Sequence, residues 1–281
     1  MFLMLLILGT TLTAISWVFA WSNAGIMSEY SFFPLWIGYI LTINGIGEAA
    51  YRTSLIRVMR WYFLALFIAS IPLWWFFEVV NGVVHNWEYI LPHPISGLHY
   101  VIQASTNFAT VLPAVLSTAF VAHWMLRGYG LEATGVPWIV RRRHLLASIF
   151  IGLVSFAGLW AFPQETFPLV WVAPILFLEP VAYVAGLPSL LRVLTDGRYL
   201  LPVSVMSATL FTGIWWELWN FYSMPKWIYH IPYVGFWKIF EMPVLGYFGY
   251  PFFGIIVFSW AFIVLTTFFK QDLIRMFEAR Q

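Results

Sequence analysis

Eight long apolar runs, at 2–21, 32–47, 61–84, 98–126, 145–163, 169–191, 200–222 and 244–269, govern what this chain can fold into. A helix that crosses a bilayer needs about 20 consecutive, mostly apolar residues. Inside the bilayer the segment must satisfy its own backbone N–H and C=O groups, so each run is expected as a helix. The second run is short for a crossing. The fourth and eighth are long enough to tilt, or to kink at Pro113 and Pro251. The first has no basic stretch before it and is too long for a signal peptide's apolar region, so it reads as a span. Composition agrees: 62% of residues are hydrophobic and 9% charged, against about 25% charged in soluble domains. That excludes a soluble enzyme domain and a nucleic-acid-binding module. The chain has no cysteine, which removes disulfides, thiolate metal sites and cysteine nucleophiles.

Basic residues orient the spans, because Lys and Arg collect on the cytoplasmic side. Arg52, Arg57 and Arg60 fall between the second and third runs, and Arg127, Arg141, Arg142 and Arg143 between the fourth and fifth. Arg192 and Arg198 follow the sixth run, and Lys270, Arg275 and Arg280 follow the eighth. Lys226 and Lys238 alone lie in an outside loop. The expected fold is an all-α polytopic membrane protein of about eight transmembrane helices, with both termini cytoplasmic.

The two halves resemble each other. Phe33-Pro34-Leu35 matches Phe167-Pro168-Leu169, and Thr53-Ser54-Leu55-Ile56-Arg57 matches Pro188-Ser189-Leu190-Leu191-Arg192. Trp74-Trp75-Phe76-Phe77-Glu78 leads to Asn81, Trp87 and Tyr89, while Trp215-Trp216-Glu217 leads to Asn220, Trp227 and Tyr229. These matches predict a four-helix repeat over 1–126, a basic cytoplasmic linker over 127–144, a second four-helix repeat over 145–270 and a tail over 271–281. Both repeats start on the same side, so they are parallel, related by an axis along the membrane normal.

Carboxylates inside spans are costly and mark function by default. Three are expected there: Glu78 and Glu217 near the outer ends of the third and seventh spans, and Glu179 in the sixth, where the repeat pairs it with Asn44. Pro180 follows Glu179 and frees a backbone carbonyl. Asn81 and Asn220 lie one turn beyond Glu78 and Glu217, on the same helical face. Glu241 lies in Phe240-Glu241-Met242-Pro243, where the last outside loop re-enters the membrane. Buried carboxyls that share a site share protons, and a neutral carboxylic acid is a proton donor. The plain alternative is that Glu and Asn join helices by hydrogen bonds worth about 0.6 kcal/mol each.

The aromatic residues divide in two. Trp87, Tyr89, Trp227, Tyr229, Tyr233 and Trp237 are expected mostly as an interface belt. Trp74, Trp75, Trp215 and Trp216 adjoin the carboxylates, and aromatic faces attract cations. An acid beside such faces could protonate an alkene and hold the carbocation, or the same groups could line a lipid-binding groove. No span holds a lysine, which argues against a retinal Schiff base. The six histidines contain no helical i,i+3 or i,i+4 pair, so no metal or haem site is expected. No span holds Asp, and no nucleotide-binding or nucleophile-elbow motif occurs. Neither metal nor cofactor is called for.

A carboxylate near the outer end of a span, at Glu217, is followed by Trp227-x-Tyr229, then by Glu241-Met242-Pro243 and a Phe-rich span. This pattern resembles the lycopene cyclase domain of heterodimer-type and fused carotenoid cyclases over about 40 residues. The resemblance implies two parallel helical repeats and proton-initiated ring closure of a polyene, with Glu217 and Glu241 at carboxylate positions and Trp227 nearby. The family's paired Pro-x-Glu-Glu is replaced here by Phe-Glu-Met-Pro, and its Asp by Glu217. The candidate catalytic residues are thus Glu217, Glu241, Glu78 and Glu179. The candidate ligand-binding residues are Trp74, Trp75, Trp215, Trp216, Asn81, Asn220, Trp227 and Tyr229. The expected partners are membrane lipids, a hydrophobic isoprenoid or lipid ligand, and further copies or a partner membrane subunit.

Overall fold

The computed structural model describes residues 2–23, 25–127, 129 and 135–278. Part of the expected 127–144 linker, and the end of the tail with Arg280, lie outside the described residues. Among the described residues the fold is all-helical apart from four short strands. The helices are α1 (Phe2–Ser22), α2 (Gly25–Glu29), α3 (Phe32–Tyr51), α4 (Leu55–Met59), α5 (Phe63–Val84), α6 (Gly97–Phe108), α7 (Val111–Leu126), α8 (Arg142–Ala161), α9 (Pro163–Thr166), α10 (Leu169–Val184), α11 (Leu190–Thr195), α12 (Leu200–Phe221), α13 (Gly249–Phe269) and α14 (Leu273–Glu278). The strands are β1 (Trp87–Ile90), β2 (Lys226–Tyr229), β3 (Lys238–Ile239) and β4 (Met242–Pro243).

Among the described residues, five helical stretches are long and apolar enough to cross a membrane: Phe2–Ser22, Leu55–Val84, Gly97–Leu126, Arg142–Ala161 and Val244–Phe269. The other three apolar runs fall on α3, α10 and α12. α10 has 16 residues. α12 carries Trp216, Glu217 and Asn220, which match Phe77, Glu78 and Asn81 of α5 in place.

In lipid, helices gain little from hiding apolar surface from one another, so close backbone approach and hydrogen bonds hold them together. The α1–α3 pair shows this. A Cβ at Gly9 would run into the Thr42 backbone, and a Cβ at Gly38 into the Thr13 backbone. Only glycine lets the two helices meet there. α7 is the central helix: it packs on α3, α5, α12 and α13, and most of its length is buried.

Several local structures occur twice. Ser54 caps α4 with φ −152°, ψ 161°, and Ser189 caps α11 with φ −153°, ψ 160°. Each serine accepts a hydrogen bond at 3.2 Å, from Arg57 N and Arg192 N respectively. The N–H one residue earlier in each short helix is taken by a side chain from the preceding long helix. Ile56 N donates to Asn44 Oδ1 at 3.0 Å, and Leu191 N donates to Glu179 Oε2 at 2.6 Å. Asn44 Nδ2 donates to Ser117 Oγ at 2.9 Å, and Ser259 Oγ donates to Glu179 Oε1. Glu179 is therefore a helix cap in this fold, doing for α11 what Asn44 does for α4.

β1 and β2 pair antiparallel, with Trp87 opposite Tyr229 and Tyr89 opposite Trp227. Side chains alternate along a strand, so each Trp-x-Tyr puts both rings on one face. That corrects the belt expectation. Trp87 is buried, and Tyr89, Trp227 and Tyr229 are half-buried in the ribbon; Tyr233 and Trp237 are exposed.

Candidate functional site: an aromatic cavity backed by glutamates

Asn81 and Asn220 set the site up. Asn81 Nδ2 donates to Trp87 O at 2.8 Å, and Trp87 N donates to Asn81 Oδ1 at 3.1 Å. Asn220 does the same with Trp227, at 2.7 and 2.8 Å. Each amide thus replaces a neighbouring strand and fixes β1 or β2 against the end of its own helix. This carries the ribbon's tyrosines over the glutamates one turn below. Tyr89 Oη donates to Glu78 Oε1 at 2.6 Å, and Tyr229 Oη donates to Glu217 Oε1 at 2.7 Å. Burial, and then the adjacent carboxyl, pushes the phenol pKa of Tyr89 and of Tyr229 well above its ordinary value. Both hydroxyls therefore keep their protons and act as donors.

The two glutamates differ in their remaining partners. Glu78 Oε1 also accepts from Trp74 Nε1 at 2.8 Å and from Trp87 Nε1 at 3.2 Å. Glu217 Oε1 instead accepts from Tyr250 Oη at 2.6 Å. Counting back from each glutamate, Gly213 occupies the place of Trp74. A Cβ on Gly213 would overlap the Tyr250 ring. Removing a side chain on α12 thus admits a phenol from α13, and a hydroxyl replaces the indole N–H. Glu217 is fully buried, and its Oε2 has no hydrogen-bond partner among the described residues.

Beside these groups lies a partly open cavity of about 150 Å³. Trp74, Trp171, Trp216, Phe253 and Tyr250 form much of its wall, together with the ribbon's Trp87, Tyr89, Trp227 and Tyr229. Phe253 is the hub, with ring centroids 5.8 Å from Trp74, 5.7 Å from Trp171 and 6.3 Å from Trp216. Trp36 on Trp216 at 5.1 Å has a counterpart in Trp171 on Phe77 at 5.3 Å.

Of the twelve expected site residues, Trp74, Trp216, Trp227 and Tyr229 line this cavity. Glu78 and Glu217 stand one side chain behind it. Asn81 and Asn220 hold the strands. Glu241 is ion-paired with Lys226 at the cavity's edge. Glu179 caps α11, as described above. Trp75 donates to Ser105 Oγ at 3.0 Å, and Trp215 packs on Trp219 and Trp17. Tyr250, Trp171, Phe253 and Glu29 were not anticipated. For Trp171 a signal existed, since it stands in the second half where Trp36 stands in the first. Tyr250 had none short of the helix packing itself. Among the described residues no three of His, Asp and Glu lie close enough to hold a metal ion. No family model, no curated protein and no solved structure matches the chain.

Proposed function

We propose that the chain is a multi-pass membrane enzyme of two parallel four-helix repeats that binds a hydrophobic isoprenoid in the aromatic cavity and acts on it by acid catalysis. The eight spans in this reading are α1, α3, α4–α5, α6–α7, α8, α10, α12 and α13. In favour of the repeat stand the paired caps at Ser54 and Ser189, the paired amide clamps at Asn81 and Asn220, and the paired Tyr–Glu bonds. In favour of cytoplasmic termini stands the clustering of Arg127 and Arg198 on the C-terminal α14, at the end opposite the ribbon. A bacterial cytoplasmic membrane fits that polarity.

The observation that carries the catalytic reading is a cavity walled by aromatic faces whose phenol hydroxyls are bonded to a buried carboxyl that pairs with no Lys, Arg or His among the described residues. When Glu217 holds a proton, the oxygen pair runs the other way. The carboxyl donates to Tyr229 or Tyr250, and the phenol O–H turns to the ligand. Addition of that proton to one alkene carbon leaves a cation, which the indole and phenyl faces stabilise. Attack of a second alkene of the same molecule on that cation closes a ring, and loss of a proton from a carbon next to the new cation gives the cyclised product. Capture of water instead, followed by loss of a proton from the bound water, gives a hydrated one. Neither outcome changes the redox state.

The test is expression in cells that accumulate a linear carotene, followed by pigment spectra. The native chain converts pigment, and Glu217→Gln inserts normally but does not. Unchanged pigment with the native chain overturns this reading. A second reading is favoured by the position of the glutamates behind the wall: a non-enzymatic lipid-binding, proton-coupled transport or structural component of a membrane complex. Its signature is a copurifying lipid or partner chain, with Glu78→Gln and Glu217→Gln both tolerated.

A further inference from the structure

We infer that the cavity is a site for a lipophilic cation: an apolar body bearing one quaternary or delocalised positive charge. This rests on the cavity being the ligand site and adds the charge of what it takes. Three features point the same way. The wall is built from ring faces, with Trp74 and Trp216 at 6.3 Å and an interplanar angle of 44°, and Phe253 touching both. Such cages attract quaternary ammonium groups through the ring quadrupole, more strongly once the cation is desolvated.

The phenols of Tyr89, Tyr229 and Tyr250 give their hydrogens to Glu78 or Glu217. Their ring faces remain for the cavity, polarised by the carboxyls behind them. Finally, neither glutamate has a cationic partner among the described residues; their partners are indoles and hydroxyls. The charged side chains that do line the cavity have partners of their own: Lys226 is ion-paired with Glu241, and Glu29 Oε2 lies 3.2 Å from His93 Nε2. Two carboxyls without counter-ions thus back one aromatic box. A cation completes that arrangement. An anion of the same shape meets both carboxyls at close range.

The experiment compares tetraphenylphosphonium with tetraphenylborate, which share size and shape and differ in sign. Each is titrated into the full-length chain in detergent, with tryptophan fluorescence as the readout and empty micelles as the partition control. The phosphonium is expected to quench saturably and to bind at least about tenfold more tightly than the borate. Glu217→Gln and Glu78→Gln, each checked for unchanged elution and Tm, are expected to weaken phosphonium binding about tenfold and to leave or strengthen borate binding. Equal binding of the two ions, no saturable phosphonium binding, or phosphonium binding unaffected in both variants overturns the inference. Pigment conversion reads the acid chemistry separately. Conversion without ion discrimination sinks the cation site alone, and discrimination without conversion sinks the acid chemistry alone.

Discussion

Glu78 and Glu217 occupy the same place in two similar surroundings, yet only one is surrounded by phenols. Glu78 is held on one oxygen by Trp74, Trp87 and Tyr89. Indole N–H groups donate but do not pass protons onward. Glu217 has Tyr229 and Tyr250, both of which reach the cavity and can donate and accept. The structural cause is the exchange of Trp74 for Gly213, which leaves room for Tyr250. Each carboxyl therefore has one ribbon phenol that reaches the cavity, Tyr89 or Tyr229, and Glu217 has a second, Tyr250, where Glu78 is held by indoles.

That contrast breaks or sharpens under mutation. The largest effect is expected at the carboxyls. General acid catalysis contributes roughly 10²–10⁴-fold, so Glu217→Gln should reduce product formation by about that much, and Glu78→Gln by less than about tenfold. Equal losses in the two variants, measured as pigment converted per inserted protein, would dissolve the distinction. Next comes Gly213→Ala, whose methyl group overlaps the Tyr250 ring. Overpacking costs about 1–3 kcal/mol, and the displaced phenol should lower turnover. A variant that keeps full turnover with Tyr250 displaced would remove Tyr250 from the route.

Asn81→Ala and Asn220→Ala each delete a two-bond clamp and leave buried backbone groups unpaired, at about 1–3 kcal/mol. Thermal unfolding should show similar losses for the two, since the clamps match in geometry, and a large disparity would count against equivalent halves. The smallest effect is expected for Glu179→Gln. The amide oxygen can still cap Leu191 N, as Asn44 caps Ile56 N. Stability should change by less than about 1 kcal/mol, with turnover retained; loss of turnover at normal stability would return Glu179 to the catalytic set.

The residues that were legible in the sequence are those whose partners lie close along the chain. The Ser54/Ser189 caps, the Asn44–Glu179 correspondence and the Asn-to-Trp-x-Tyr spacing all depend on local helix and strand geometry, which repeats with the residues. The tryptophan pairs were read out of register. Trp74 stands four residues before Glu78, but Trp216 stands one before Glu217 and takes the place of Phe77. Phe and Trp fill the same kind of core position, so identity misleads where helical phase does not. Tyr250 and Phe253 join the site from a helix more than thirty residues away, through packing that no local pattern encodes. The belt assignment failed for a similar reason: Trp-x-Tyr suits an interface and a strand alike, and only the β1–β2 pairing decides between them.

The central claim is that a hydrophobic ligand lies between the halves, against Trp74, Trp216 and Tyr250. Extraction and mass spectrometry of what copurifies with the native full-length chain from carotene-accumulating cells tests it most directly. An isoprenoid or its cyclised or hydrated product, present at near one per chain and lost in Gly213→Ala, is the predicted result. Recovery of bulk phospholipid alone, in the same amounts from native and Gly213→Ala protein, would contradict it.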